Sequence, residues 1–496
     1  MSVTQPSSAK QEHLERNALG VPSVVFLVLA AAAPLGAMLG SAPFAMAFGN
    51  GPGVPGTFVL AALALACFAA GYAAMSRRIT NAGAFYAYIG RGLGRTTGVA
   101  AAHVAWISYL AVAIGVFAIF GIFAHSIFNE QFGIEMEWYV WALLAIAVVG
   151  LLAYRRIELS AKVLGVCLVA EALLLLVMDV AVLSEKGLSA FSLSSFSPEV
   201  VFSGSAGVAI LFVFTCFIGF EGTAIYAEET KEPKKTVSRA TFITIAIIGV
   251  FYAITSWSVV SYYGNAALQG VAEKDTEGFI FAITDQTLGT FALDLMQVLL
   301  CISFFASALG ILNSAARYLF ALGREGILPR RLSKAHPRHE SPYIAVVVAI
   351  AISAAFVLIQ VIGGGDPYLT LAAAMLAFGT VGIVALQGAT ALAAAVFFIR
   401  EKDRHVITHV VLPLIGAAAL LAACYLGIDQ YSLLTGSETG WQNQLPWVLV
   451  AAALFGVGQG LWLRRNRPQE FDELGESVDD EPVAGGELAP EPSGAG

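Results

Sequence analysis

Hydrophobic residues in this chain come in long runs, separated by short connectors that are often basic. A run of ~20 apolar residues is the length that crosses a bilayer as a helix. Such runs lie at about Val21–Phe48, Pro55–Met75, Thr97–Phe123, Trp138–Ala153 and Leu159–Leu183. A sixth leads into Phe214–Thr230, and others cover about Thr241–Tyr262, Phe291–Ala316, Tyr343–Ile362, Tyr368–Ile399, Val406–Leu426 and Trp447–Leu463. They are numbered helices 1 to 12 in chain order. Hydrocarbon offers no partner for backbone N–H and C=O groups, so the runs read as helices rather than open strands. The expected fold class is an all-α polytopic membrane protein of about twelve spans.

Two of the runs carry helix breakers at mid-length. Helix 1 reads Ala-Ala-Ala-Pro-Leu-Gly over 31–36, and Pro34 can neither donate a helix bond nor avoid the preceding turn. Two half-helices are expected, with Pro34 at the first position of the second, where proline is tolerated. Helix 6 places Gly219 and Gly222 around Phe220 and Glu221. Glycine weakens a helix, and an intramembrane carboxylate costs roughly 3 kcal/mol or more. The two interrupted helices are five apart and so cross in opposite directions. That pattern predicts two inverted halves, about 21–184 and 201–400, with helices 11–12 (about 406–464) added, and matched breaks point to a transporter's binding site.

The connectors fix the expected orientation. With the N-terminus inside, inner loops hold Arg77, Arg78, Arg91, Arg95, Arg155, Arg156, Lys231, Lys234, Lys235 and Arg239, and outer loops hold only Lys186 and Lys274. Lysine and arginine collect on the cytoplasmic side, which predicts a multi-pass plasma-membrane protein with both termini cytoplasmic. Residues 1–20 form a polar cytoplasmic segment, 21–464 the transmembrane domain, and 465–496 an acidic, Pro/Gly-rich tail expected to be disordered. Asn81–Arg95 reads as a connector with a short amphipathic piece, and Phe279–Ile283 as a short re-entrant or surface helix.

Composition narrows the class. Of 496 residues, 58% are hydrophobic and 12% charged, about half the charged share of soluble chains. The net charge of −8 comes mostly from the tail and points to no nucleic-acid partner. Cys67, Cys167, Cys216, Cys301 and Cys424 all sit in apolar runs without metal spacing. The first apolar stretch is too long for a cleavable signal. There is no H-E-x-x-H, no G-x-S-x-G and no phosphate-binding loop, so neither an intramembrane enzyme nor a nucleotide-driven pump is indicated, and no cofactor or metal is expected.

The stretch F-I-G-F-E-G with E-E-T-K-E-P-K-K-T-V-S-R-A resembles the amino acid–polyamine–organocation (APC) permeases. So do Gly323–Leu332 (G-R-E-G-I-L-P-R-R-L) and Ile79–Ile89 (I-T-N-A-G-A-F-Y-A-Y-I), in order and spacing, across helices 1–10. The resemblance implies a five-plus-five inverted-repeat fold that moves amino acids or related amines. Many members carry a G-S-G-type motif in the helix 1 break, whose amides bind a substrate carboxylate. Here that place reads Gly36-Ala37-Met38: the first glycine is kept, the hydroxyl is lost, and Met38 adds bulk.

The substrate site is expected around Ala33, Pro34, Leu35, Gly36, Ala37 and Met38 of helix 1 and Phe217, Ile218, Gly219, Phe220 and Glu221 of helix 6. Half-helix N–H groups suit a carboxylate. Carbonyls freed near Ala32, Ala33, Phe217 and Ile218 suit an ammonium, and Leu35, Met38, Phe217 and Phe220 would shape the pocket. Glu221 has three candidate roles: to hold the amine, to carry a coupling proton, or to tie the broken helix to a neighbour. By resemblance, Lys162 of helix 5 would occupy a cation position facing Ser303 and Ser307; the alternative is a lysine snorkelling to the interface. Glu171 and Asp179 read as packing acids or members of the same proton route. The leading function is amino acid transport by alternating access, proton-coupled or exchanging. A polyamine or amine importer and a non-transporting nutrient sensor are the alternatives. The expected partners are a small-molecule substrate, a proton and the lipid bilayer, in a monomer or homodimer.

Overall fold

A computed structural model describes residues 20–78, 85–155, 161–221, 223, 233–402, 404–434 and 440–474. The described residues form helices and connecting turns, with no strand. Ten helices are long and apolar enough to cross a membrane. Helix 1 is not among them, because it is split into Val21–Ala32 and a second half wound through Pro34–Gly36, Ala37–Ser41, Ala42–Phe44 and Ala45–Gly49. Helix 6 is described as Ala206–Phe217 and then leaves helical geometry.

Several helices outrun their apolar cores. Helix 3 runs Arg95–Phe132, helix 7 Pro233–Tyr263 and helix 8 Thr290–Arg324. Apolar content marks the part in hydrocarbon, whereas the backbone stays helical until a breaker stops it. Helix 3 ends at Gly133, whose φ of 63° is the left-handed conformation of a glycine cap.

Helices 3 and 10 (Tyr368–Ala373 continuing through Ala374–Ile399) form the centre, with 89% and 83% of their apolar windows buried, against 28% for helix 12 (Leu445–Asn466). The peripheral helices turn large aliphatics outward: Leu173, Val177 and Val180 of helix 5 (Ala161–Lys186), and Leu454, Phe455 and Leu461 of helix 12. In water such a surface would be a large apolar patch; in lipid it is solvated. The amphipathic piece forms as Phe85–Leu93 and lies on helices 3 and 10. Its Gly92 packs directly on the Ala393 backbone, where a methyl group would overlap the carbonyl.

The basic end is cross-linked by polar contacts. Tyr86 donates to Glu325 at 2.7 Å, Gln459 of helix 12 meets His103 at 2.7 Å and donates to the Ile327 carbonyl at 2.6 Å. The first part of the expected tail is structured. Pro468–Asp472 is a short helix held by Arg330–Glu470 (3.0 Å), Arg467–Glu470 (3.1 Å) and Arg95–Asp472 (2.9 Å), with Phe471 and Leu474 buried beneath it. The acidic composition that suggested disorder here meets the arginines of neighbouring loops instead. Residues beyond 474, and the motif residues 79–84 and 224–232, lie outside the described residues.

At the opposite end, the connector after helix 7 forms two short helices, Leu268–Lys274 and Phe279–Leu288, where one was expected. Asp275 stops the first and accepts a bond from the Gly278 N–H at 2.9 Å. Beside it, Glu277 is half-buried, and its carboxyl is pushed up from an ordinary 4.5 to about 7. Burial is the main cause, the Asp366 and Asp275 carboxylates add to it, and His125 opposes it.

Two predictions follow from this packing. Gly92→Ala should lower the thermal midpoint, at a cost on the order of 1–3 kcal/mol for overpacking, with an unchanged midpoint refuting the close approach. Glu277 binds its proton more tightly folded than unfolded, so its stabilising contribution is full below pH 4.5 and is lost as pH rises to about 7. Across that window the midpoint of the wild type should fall more steeply than that of Glu277→Gln; equal slopes would exclude Glu277 as the source.

Candidate functional site

Proline sets the local geometry of helix 1. The residue before a proline is disfavoured in the right-handed helical region. Ala33 instead takes φ 48° and ψ 80°, a left-handed conformation that costs a non-glycine residue about 1–3 kcal/mol. Its N–H still bonds the Leu29 carbonyl at 3.2 Å, which closes the first half. The second half begins at Pro34. A helix start leaves its first N–H groups without partners, and Pro34 has none to offer. The Ala37 N–H returns to the Ala33 carbonyl at 2.8 Å. That leaves the N–H groups of Leu35 and Gly36.

Both are taken by side chains from other helices. The Leu35 N–H points to the Glu171 carboxylate of helix 5 at 3.4 Å, and the Gly36 N–H donates to the Ser303 hydroxyl of helix 8 at 3.2 Å. Ser303 in turn donates to the same carboxylate oxygen at 2.8 Å. Glu171 is only 3% exposed, and the Phe304 ring closes over Gly36 and Gly40; a Cβ would overlap the ring at Gly40 and press tightly on it at Gly36.

Helix 6 breaks by a different device. Ile218 adopts ψ 133°, and Gly219 takes φ 112°, which a residue with a Cβ rarely reaches. Glu221 folds back over this turn. One oxygen accepts from the Gly219 N–H at 3.1 Å and the other from the Tyr109 hydroxyl of helix 3 at 2.6 Å. Its backbone carbonyl accepts from Tyr72 of helix 2 (Val54–Ser76) at 3.0 Å, and Tyr109 stacks on Tyr318 of helix 8. Among the described residues neither Glu171 nor Glu221 has a salt-bridge partner.

The two interruptions lie side by side. Cys216, just before the helix 6 break, donates its thiol to the Ala37 carbonyl at 3.6 Å, and Phe212 stacks on Phe44 at 4.7 Å. Ala33 to Met38 therefore meet the region of Phe217 to Glu221, and all but Gly219 are buried. The two phenylalanines of helix 6 turn to helix 2: Phe217 lies against Phe58, and Phe220 meets Phe68 edge-on. Two carbonyls expected to be free are partly engaged, since Ala33 accepts from Ala37, and Phe217 accepts from Phe220 at 3.3 Å.

Ser303 meets Glu171, and Ser307 is buried one turn further along helix 8. Lys162 falls within helix 5, but its side chain lies outside the described residues. Its backbone is nine residues from Glu171, half a turn out of phase and ~13 Å away along the axis. The sequence reading missed Tyr109, Tyr72 and Phe304 as site groups and left Glu171 undecided. An acid in mid-helix was the available signal for Glu171. Asp179, two turns on, accepts from Thr255 of helix 7 at 2.9 Å through one oxygen, and its other oxygen is buried without a partner among the described residues.

The profile of the amino acid permease family matches residues 19–457. The branched-chain amino acid permease BcaP of Lactococcus lactis is 28% identical over 366 residues, 68% of this chain and 75% of that one. The low-affinity putrescine importer PlaP of Escherichia coli is 23% identical, over 77% of this chain and 82% of its own. The methylthioribose transporter of Bacillus subtilis is 22% identical, over 85% and 90%. With helices 1 and 6 broken side by side and the match running nearly end to end, the chain belongs to the amino acid permease family of the APC superfamily and is a membrane permease rather than an enzyme.

Proposed function

We propose that this permease is a secondary active transporter that carries a small amino compound across the plasma membrane by alternating access. The substrate would be an amino acid, as the name of BcaP suggests, or an amine, as that of PlaP suggests. The reading includes an inverted pair of five-helix halves, twelve spans, both termini in the cytoplasm, and coupling to a proton or to exchange. One observation carries it: two broken helices meet at mid-chain depth and bring hydrogen-bonding backbone to a place where continuous helices would present none. The buried breaks correspond to a closed state, and access on either side requires the helix halves to move.

Within this reading the geometry favours a structural role for Glu221. Both of its oxygens are engaged by the protein, so it pins the helix 6 turn to helix 3. A proton-linked role remains compatible, because protonation would release the Gly219 N–H or reverse the bond to Tyr109. Lys162 is retained as the coupling candidate on the resemblance alone. A non-transporting sensor is the reading that uptake excludes.

The test is uptake of labelled amino acids and amines by purified protein in liposomes under an imposed pH gradient. Uptake is expected in the wild type, and its absence for every compound would leave only the sensor. Lys162→Ala should abolish gradient-driven uptake while keeping exchange, and unchanged gradient-driven uptake would remove Lys162 from coupling. Tyr109→Phe should destabilise the protein by about 1–3 kcal/mol, since a buried acceptor loses its donor. Glu221→Gln should shift the pH profile of uptake; a wild-type profile would reduce Glu221 to packing.

A further inference from the structure

Asp179 of helix 5 stands apart from the paired breaks. It lies eight residues beyond Glu171, ~12 Å further along the axis toward the end opposite the basic loops. It is 6% exposed, and the Thr255 hydroxyl of helix 7 donates to one of its oxygens at 2.9 Å. The other oxygen is buried without a partner among the described residues. Ser258 is one turn beyond Thr255 on the same side of helix 7. It too is buried, and its hydroxyl has no partner among the described residues. The short helix Phe279–Leu288 covers this contact. Its Ile280, Ile283 and Thr284 are buried, and the Thr284 hydroxyl lies 3.5 Å from the sulfur of Met178 and 3.3 Å from that of Met296.

An ionised carboxylate can only accept hydrogen bonds. As an anion, Asp179 would keep one oxygen bare at a place that water does not reach, and an uncompensated buried charge is strongly destabilising. Nothing nearby compensates it. Helix 1 carries no titratable group over 21–49. Helix 7 brings Tyr252 and Tyr263, helix 8 brings Cys301 and Asp294, and the short helix brings Asp285; among the described residues none bonds Asp179, and both acids are exposed. Lys186, two turns on, is paired with Glu185 at 3.0 Å. A divalent cation would ask for about six oxygens, against one carboxyl and two hydroxyls here. A single proton removes the deficit. On the bare oxygen it cancels the charge and makes that oxygen a donor, for which the Ser258 hydroxyl is an acceptor.

Building on the reading that the chain transports by alternating access, we infer that Asp179, Thr255 and Ser258 form a proton-binding site, separate from the substrate site, that couples uptake to protons. The carboxylate takes the proton from water as a new O–H bond when the Phe279–Leu288 helix lifts. In the closed form the proton is held between Asp179 and Ser258. It returns to water on the other side when helices 5 and 7 part, and no other group changes charge. Helix 5 provides the link to the substrate site, because it also carries Glu171 against the helix 1 break.

The experiment has two readouts, both on the full chain. The infrared difference spectrum of wild type minus Asp179→Asn should contain the C=O stretch of a protonated carboxylic acid, sensitive to exchange into heavy water. Asparagine has the shape and neutrality of the protonated acid, so the variant should fold. In liposomes with the membrane potential held at zero, a gradient of one pH unit should drive up to about tenfold accumulation of labelled L-leucine or putrescine by the wild type, the equivalent of one proton per substrate. Asp179→Asn should abolish that accumulation and still exchange internal for external label. If it does not fold, Ser258→Ala decides: it should shift both the infrared band and the pH profile of uptake. A difference spectrum without the band overturns the inference and leaves the transporter standing. So does wild-type uptake that ignores the gradient, accumulation that survives in Asp179→Asn, or a Ser258→Ala variant that moves neither readout. Uptake of neither compound by monodisperse wild type removes the transport reading and the coupling with it.

Discussion

A proline at mid-membrane frees backbone N–H groups where no water can bond them, and the architecture of this permease is shaped by how those groups are satisfied. Each unsatisfied group would cost several kcal/mol in hydrocarbon. The chain meets the demand twice with a carboxylate. In helix 6 the acid is local: Glu221 turns back on Gly219, two residues away. In helix 1 it is imported: Glu171 arrives from helix 5 and works through Ser303 of helix 8. The difference has a structural consequence. The helix 6 break uses helices 2 and 3 only to hold its cap in place, whereas the N–H groups freed at the helix 1 break find their partners on helices 5 and 8.

This division also separates what is rigid from what can move. The centre of the molecule is helices 3 and 10, nearly enclosed and packed through small residues such as Gly379 against Val112. Such a core resists deformation, because dense packing leaves no intermediate positions. The breaks are held by a handful of polar bonds, among them a single contact at 3.4 Å from Leu35. A hydrogen bond contributes about 0.5–1.5 kcal/mol net, so these contacts are individually weak beside the packing of the core. Ala33 adds to the same poise. Its left-handed backbone holds about 1–3 kcal/mol of strain at the same place.

The parts of this design that sequence reveals are those that depend on neighbouring residues. Apolar run length gave helix positions, and Pro34 and Gly219 gave the breaks, because each acts on its own backbone. Glu221 was visible for the same reason, since its partner is two residues away. Glu171 was not, although its chemistry is similar. Its partners lie 136 and 132 residues distant, and nothing in the order of residues says that helix 5 will bring it to the start of a half-helix. The aromatics show the same limit from the other side. Phe217 and Phe220 looked like pocket walls because they flank the break, but their rings find Phe58 and Phe68 on helix 2, and Phe304, which does cover the break, lies in an ordinary apolar run. The helix ends erred by up to about two and a half turns, as at Phe132 of helix 3, because hydropathy reports the bilayer and not the backbone. The segment at Pro468–Asp472 was assigned to disorder by its acidity, a property that changes meaning once Arg95 and Arg330 lie opposite.

The similar permeases carry names that span a zwitterion, a dication and an uncharged thio-sugar. A freed N–H pair suits none of the three outright, because it carries only a partial positive charge. A freed N–H pair is neutral in this respect until something caps it. Left open, it is a seat for an anion; capped by a serine, it becomes a polar but uncharged surface; capped by a carboxylate, it presents negative charge at the same place. Here the cap is Glu171 of helix 5, working through Ser303 of helix 8. The charge beside the helix 1 break is therefore decided by positions more than 130 residues away in sequence.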